Sequence, residues 1–181
     1  MNENEIDEQA KRIGRKCGDC SLCCYILKID ELKLPMRTCC DYQSDKLPGC
    51  MIYKNRPRSC RDFSCNWLID PSLDENWFPL KSGLFSFYSN DNALLSIHSK
   101  DKDGWKKTPY YKQIKEWAIV GLSNVKMCLT MVFEAETRYL ILPDRDVEVK
   151  SFFTLSFDQM NNRWNVEWGD PIPEEYFNQY T

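Results

Sequence analysis

The sequence predicts an α+β fold in which a cysteine-rich N-terminal cap packs on a small antiparallel sheet with one main helix. Nine of the ten cysteines fall between Cys17 and Cys65, whereas cysteines of an ordinary core would be scattered along the chain. The later part of the chain contains several short runs with alternating apolar residues, separated by turn-forming residues. One stretch, 110–120, has its apolar residues at helical spacing instead. The 181 residues suit one domain with its own core.

Residues 1–16 form a polar lead-in. Its acidic residues precede its basic ones, which would suit a short helix and its dipole, although a frayed tail fits equally well. The segment lacks the apolar run of a secretory signal, and no later stretch is long and apolar enough to span a bilayer. We therefore expect a cytoplasmic protein with no membrane partner.

The cysteine-cluster region spans residues 17–83. Turn-forming residues separate its thiols, so loops and short helices are expected, with Tyr25–Ile29 as a short strand. The stretch 66–83, which carries two tryptophans and two prolines, reads as an irregular connector.

The remaining α+β region, 84–181, is expected to continue the same domain. Two strands separated by a turn are predicted at Leu84–Tyr88 and Ala93–His98. A helix is predicted over Tyr110–Val120, ended by Gly121. Further strands are expected at Val125–Phe133, Thr137–Leu142, Ser151–Phe157 and Trp164–Trp168.

Composition argues against several kinds of function. The formal charge of −3 offers no electrostatic reason to expect a nucleic-acid partner. His98 is the only histidine, which rules out a metal site built from several histidines, and its place on a predicted strand favours a structural or surface role. The seven glycines are dispersed and form no phosphate-binding loop. No catalytic residue can be assigned.

The cysteine spacing indicates metal binding. In a reducing cytosol clustered thiols are not expected to persist as disulfides, which favours a metal or redox role. The first block reads Cys17-Gly-Asp-Cys20-Ser-Leu-Cys23-Cys24, and its two-residue gaps allow neighbouring thiolates to reach one metal. Such dense packing leans toward iron–sulfur or multinuclear ligation rather than a structural zinc site made of two separated pairs.

Basic residues accompany the last cysteines. Four thiolates around a divalent metal carry a charge of about −2, which is costly to bury without cations or hydrogen-bond donors. Arg56 and Arg61 could supply both, while Arg58 is interpreted as a surface residue. The alternative is that all three arginines simply face solvent.

The motif C-x2-C-x2-C-C, then a single cysteine, then C-x-I-Y-x-x-R-P-x-x-C-R-x-F resembles the CxxCxxCC family of zinc- or iron-chelating, YkgJ-like cysteine-cluster proteins. In one bacterial subgroup the likeness continues through Cys65 to about residue 120. It implies a metal-chelating role with zinc or iron, an iron–sulfur cluster included, and it places Tyr53 with Arg56 and Arg61 around the ligands. The eight implied ligands are Cys17, Cys20, Cys23, Cys24, Cys39, Cys50, Cys60 and Cys65.

One departure from that subgroup concerns the residues after Cys39. Its members tend to carry a histidine and another cysteine there, whereas this chain has Asp41 and Tyr42 and an extra Cys40. We therefore rank Cys40 below the other cysteines. The eight thiols could form two four-coordinate sites or one larger cluster, and the sequence does not divide them.

Two rival functions remain open beside simple metal chelation. Some proteins with a similar motif are labelled flagellin lysine methylases, so an iron–sulfur enzyme or electron-transfer protein is one alternative. A metal-delivery or interaction module with an unidentified protein partner is the other. Its docking surface would be the aromatic C-terminal half, which includes Trp164, Trp168, Tyr176, Phe177 and Tyr180. Cys128 is interpreted as a buried or semi-buried thiol without function.

Overall fold

A computed structural model describes residues 3–18, 20–43, 49–89, 91–135 and 137–171 of the chain. The α-helices are α1 (Glu3–Ile13), α2 (Leu22–Ile26), α3 (Arg58–Asp62), α4 (Asn66–Ile69), α5 (Pro79–Ser82) and α6 (Tyr110–Ser123). The strands are β1 (Leu84–Ser89), β2 (Leu94–Ser99), β3 (Leu129–Phe133), β4 (Arg138–Ile141), β5 (Asp146–Glu148), β6 (Ser151–Asp158) and β7 (Arg163–Pro171). This mixture of helices and strands confirms the α+β class.

Strands β1 to β5 form one sheet in sequential order, and β6 and β7 form a separate two-stranded sheet. The prediction of a purely antiparallel sheet was wrong, because β2 and β3 are parallel, with Ile97 opposite Val132. Strand β5 was not predicted. The parallel pair is possible because α6 lies between β2 and β3 in the chain and carries it back across the sheet.

One face of the five-stranded sheet is covered by α6 and by the tryptophan-rich segment before β1. Helix α6 buries Ile114 and Ala118, which lie one turn apart on the same side of the helix. They pack with Trp67, Trp77 and Trp105 in the largest core cluster. The segment 66–83 is therefore not an irregular connector: it contains α4 and α5 and supplies two core tryptophans.

Three predicted elements have different bounds or types. Helix α6 continues past Gly121 to Ser123. Gly121 does not end the helix; it allows the Cys128 carbonyl to approach closely, since a Cβ at position 121 would lie 2.3 Å from that oxygen. Strand β3 begins at Leu129 instead of Val125. The strand predicted at Tyr25–Ile29 is absent, since the chain there finishes α2, which buries Leu22 and Ile26 on one side.

The opposite face of the sheet is covered by two parts of the chain. The β6–β7 hairpin packs Phe153, Leu155, Trp164 and Val166 against the cluster that contains Leu140. Trp168 is 46% exposed. The other C-terminal aromatic residues named above, Tyr176, Phe177 and Tyr180, lie outside the described residues.

Beside the hairpin, the cysteine-rich segment contacts the same face through β1. Phe63 makes edge-to-face contacts with Phe85 and Phe87, at centroid distances of 5.9 and 5.2 Å. Leu22 and Ile26 of α2 join Phe85 in a small core cluster. Among the described residues, no helix combines the length and the apolar character that crossing a membrane requires.

Candidate functional site

One cavity of about 270 Å³ lies within the cysteine-rich segment, and eight of the ten cysteines line it. The two that do not are Cys39 and Cys128. None of the ten, all of which lie in the described ranges, forms a disulfide. Thiols from positions as distant in sequence as Cys17 and Cys65 therefore face a common space.

The first of these thiols is held in place by the helix that precedes it. Helix α1 buries Ile6 and Ala10 against Leu68 of α4. Arg15 then donates hydrogen bonds to three main-chain carbonyls, those of Trp67, Asp70 (2.8 Å) and Leu73. Together these contacts join the chain around Cys17 to the chain around Cys65.

Cys65 precedes α4 and packs at the junction of three core clusters. Burial is the main reason that its pKa is raised to about 11, although the backbone N–H groups of Leu68 and Trp67 hydrogen-bond to its sulfur and act against that rise. The pKa of Cys20 is likewise raised by burial, against hydrogen bonds from the backbone of Leu22 and Leu80. Such N–H donors are typical of sites where thiolates bind metals.

The thiols of the first block perturb one another. The pKa of Cys17 is raised to about 12, first by burial and then by the charges of Cys20, Cys65 and Cys24. Cys23 shares a hydrogen bond with Cys24 that raises the pKa of Cys23 and lowers the pKa of Cys24 to about 7. In the absence of a cation, most of these groups are therefore neutral thiols near pH 7, and Cys24 is the one that ionises most readily.

In the part of the chain that the structure describes, two cations line the cavity: Lys28, which pairs with Asp30 at 2.9 Å, and Arg56. Its guanidinium carbon lies 3.9 Å from the centroid of the Tyr53 ring, and its Nη2 lies 3.4 Å from Oε1 of Glu3. Its Nε is buried and has no hydrogen-bond partner among the described residues. The charge of Arg56 acts to lower the pKa of Cys17 and Cys24. A buried donor without an acceptor, beside several thiols, favours a negatively charged occupant of the cavity.

The other sequence-predicted site residues lie further out. The Arg61 side chain is 42% exposed, does not line the cavity and pairs with Glu3 at 3.9 Å. Arg58 is 81% exposed and pairs with Asp62. Tyr53 lines the cavity, and burial raises the pKa of its hydroxyl.

Two adjacent cysteines have opposite environments. Cys39, a candidate ligand from the sequence, is exposed and does not line the cavity, whereas Cys40, which was ranked below it, is buried and does. Adjacent thiols in an extended stretch point to opposite sides, so only one of them readily faces the cavity. No pattern in the sequence distinguishes the two.

Two residues that position the cysteines were not predicted. Arg15 is one of them. The other is Glu31, whose carboxylate accepts the backbone N–H groups of Arg58 (3.0 Å) and Ser59 (2.9 Å) and the Ser59 hydroxyl. It thereby holds the start of α3, which carries Cys60. Their partners lie tens of residues away in the sequence, so no local signal identifies either residue.

The arrangement does not amount to a finished coordination shell. Within the described ranges, no group of three or more cysteine, histidine, aspartate or glutamate side chains is placed so that it could hold a metal ion. A metal would require sulfurs that already face one cavity to converge further. The donor set itself, all thiols with one neighbouring arginine, suits zinc or iron–sulfur ligation and not the hard oxygen-preferring cations.

Comparison with known proteins returns no relative. No family model matches the chain, and no curated protein or solved structure is significantly similar to it. The resemblance to the CxxCxxCC family thus stays a prediction from the motif.

Proposed function

We propose that this chain is a metal-binding protein that chelates zinc or iron through its cysteine cluster. The observation that carries the proposal is the shared cavity, which eight cysteines line from four separate parts of the cysteine-rich segment. Soft thiolate donors in this number are typical of zinc and iron–sulfur sites.

The electrostatics of the cavity support an anionic metal–thiolate centre. Thiols whose pKa values are raised by burial and by their neighbours become ligands only when a metal displaces their protons. The resulting centre would carry net negative charge, and Arg56 provides a nearby cation with a free Nε donor. Tyr53 stacks on that guanidinium and holds its orientation.

The proposal takes Cys40 in place of Cys39 as a ligand. The other seven are Cys17, Cys20, Cys23, Cys24, Cys50, Cys60 and Cys65. Bound metal would cross-link these cysteine positions. The cysteine-rich segment would then be the metal-binding cap of the fold. Arg61 does not line the cavity and acts on the centre through Glu3, which it shares with Arg56.

Metal content and the visible spectrum of protein purified without oxygen test the proposal. We expect zinc or iron in stoichiometric amount; broad visible absorption with acid-labile sulfide would identify an iron–sulfur centre, and a colourless zinc protein would identify a zinc site. Protein that binds neither metal tightly under reducing conditions would refute the proposal.

The neighbouring cysteines provide matched variants. Cys40→Ser should lower the metal content, while Cys39→Ser, which alters an exposed thiol one residue away, should retain it. Equal loss in both variants would contradict the assignment of Cys40.

Folding offers a second measurement. Removal of the metal should lower amide protection over residues 17–65 while the strands of the sheet keep theirs, because the thiols would lose their common ligand. Unchanged protection across that segment after chelation would contradict a structural contribution of the metal.

A further inference from the structure

All eight cysteines line the main cavity, and four of them also line a second void. Beside the main cavity lies a second, small void of about 20 Å³, close to the space that one small ion or water occupies. It is lined by Cys17, Cys20, Cys23 and Cys65, which face both voids. The remaining four, Cys24, Cys40, Cys50 and Cys60, face only the main cavity.

The walls of the two spaces differ in kind. The small void is also lined by Trp67, Leu68, Pro79 and Phe85, of which all but Pro79 belong to core clusters. The main cavity is bordered on its outer side by Tyr42, Tyr53 and Arg56, and Tyr42 and Tyr53 are 39% and 36% exposed. The small void is therefore walled by apolar side chains on one side, whereas the main cavity borders polar side chains near the surface.

Helix geometry explains how neighbouring cysteines can serve different sites. Cys23 and Cys24 are consecutive residues of α2, and consecutive side chains on a helix point about 100° apart. Cys23 therefore lines both voids while Cys24 lines only the main cavity, although the two thiols share a hydrogen bond. Cys17 and Cys20 precede α2 and line the small void together with Cys23.

We infer that the cluster is two four-cysteine sites: an inner site of Cys17, Cys20, Cys23 and Cys65, and an outer site of Cys24, Cys40, Cys50 and Cys60. The inference rests on the proposed function, since it divides the ligands of that same centre. The inner site holds its metal as a structural ion behind apolar walls. The outer site exchanges its metal with solvent or a chelator. Arg56 lines the main cavity, which members of both sites face, and does not line the small void.

Zinc titration of the reduced apo-protein tests the division by stoichiometry. The full chain should take up two equivalents of zinc. Cys17→Ser/Cys65→Ser and Cys50→Ser/Cys60→Ser should each take up one. Cys39→Ser/Cys128→Ser removes the same number of thiols outside the cavity and should retain two.

The outcomes separate this inference from the proposed function. A full chain that binds no zinc refutes both. A full chain that binds zinc while either cavity variant binds none, or while either still binds two equivalents, refutes the division alone and favours one shared cluster.

A measurement on the unaltered protein covers the case in which a variant fails to fold. Zinc-loaded protein is exposed to a chelator until half of the metal is removed, treated with an alkylating reagent and mapped by mass spectrometry. Cys24, Cys40, Cys50 and Cys60 should be modified together while the inner four stay protected, with exposed Cys39 modified throughout. Alkylation spread evenly over both groups would overturn the division.

Discussion

His98 should make the stability of the protein fall as the pH is lowered. Its side chain is 2% exposed and stacks between Phe85 and Phe133, at centroid distances of 5.1 and 4.8 Å. Burial, assisted by the positive charges of Arg37 and Arg138, lowers the pKa of His98 from 6.5 to about 3. The folded protein therefore keeps this imidazole neutral at pH values where the unfolded chain protonates it.

The size of the effect follows from the two pKa values. A folded-state pKa below the unfolded one contributes stability that is fully present above pH 6.5 and is lost as the pH falls toward 3. Each pH unit inside that window is worth about 1.4 kcal/mol. Lowering the pH from 7 to 5 should therefore reduce the free energy of unfolding by about 2 kcal/mol through His98 alone.

Urea unfolding of the wild type and of His98→Phe at pH 7, 6 and 5, followed by tryptophan fluorescence, measures this term. Phenylalanine continues the aromatic stack but cannot take up a proton. The wild-type free energy minus that of the variant should fall by about 2 kcal/mol from pH 7 to pH 5. Carboxylates and thiols titrate in both proteins, so their contribution cancels from the difference between the two free energies. Any misfit of phenylalanine lowers the stability of the variant by the same amount at every pH and leaves the pH dependence of that difference unchanged. A difference that stays constant within about 0.5 kcal/mol would refute a buried, neutral His98.

Two further substitutions test contacts that set the fold around the site. Arg15→Ala removes the donor to three carbonyls and should lower the free energy of unfolding by at least about 2 kcal/mol. The stability of Arg15→Lys should lie between those of the wild type and the alanine variant, because an ammonium group cannot reach all three carbonyls. Wild-type stability of the alanine variant would contradict the contact. Gly121→Ala should cost about 1–3 kcal/mol by thermal or urea unfolding despite the better helix propensity of alanine, because its Cβ would lie 2.3 Å from a main-chain oxygen that cannot move freely. The control is Ser123→Ala, at an exposed position of the same helix, which should change stability by less than about 0.5 kcal/mol. A Gly121→Ala variant more stable than the wild type would show that the Cys128 carbonyl does not approach Gly121 closely.

The local patterns in the sequence predicted most of the regular structure. Strand-like runs identified β1, β2, β4 and β6 to within about two residues and the start of β7 to within one, and apolar spacing identified the start of α6. The errors occurred where distant contacts override local signals. Gly121 signals a helix end, yet the packing of the Cys128 backbone against it demands a glycine inside a helix. The short apolar run after Leu22 resembles a strand, yet it forms the last turn of α2 against β1.

The candidate site shows the same contrast between local sequence signals and distant contacts. The crowding of nine cysteines between Cys17 and Cys65 is a property of the sequence, and the prediction of metal binding rests on it. Cys40 faces the cavity and Cys39 does not, because the path of the main chain turns only Cys40 inward. No composition or spacing rule distinguishes two adjacent, identical residues.

By itself, the sequence determined which residue types are available and in what local order: a dense set of thiols, nearby arginines, alternating strands and one long helix. The tertiary structure alone decided which of them meet. Arg15 reaches carbonyls 52 to 58 residues further along, and Cys17 and Cys65 line the same small void. The physical reason is that secondary structure depends on neighbours along the chain, whereas a site depends on side chains that only the packed core brings together.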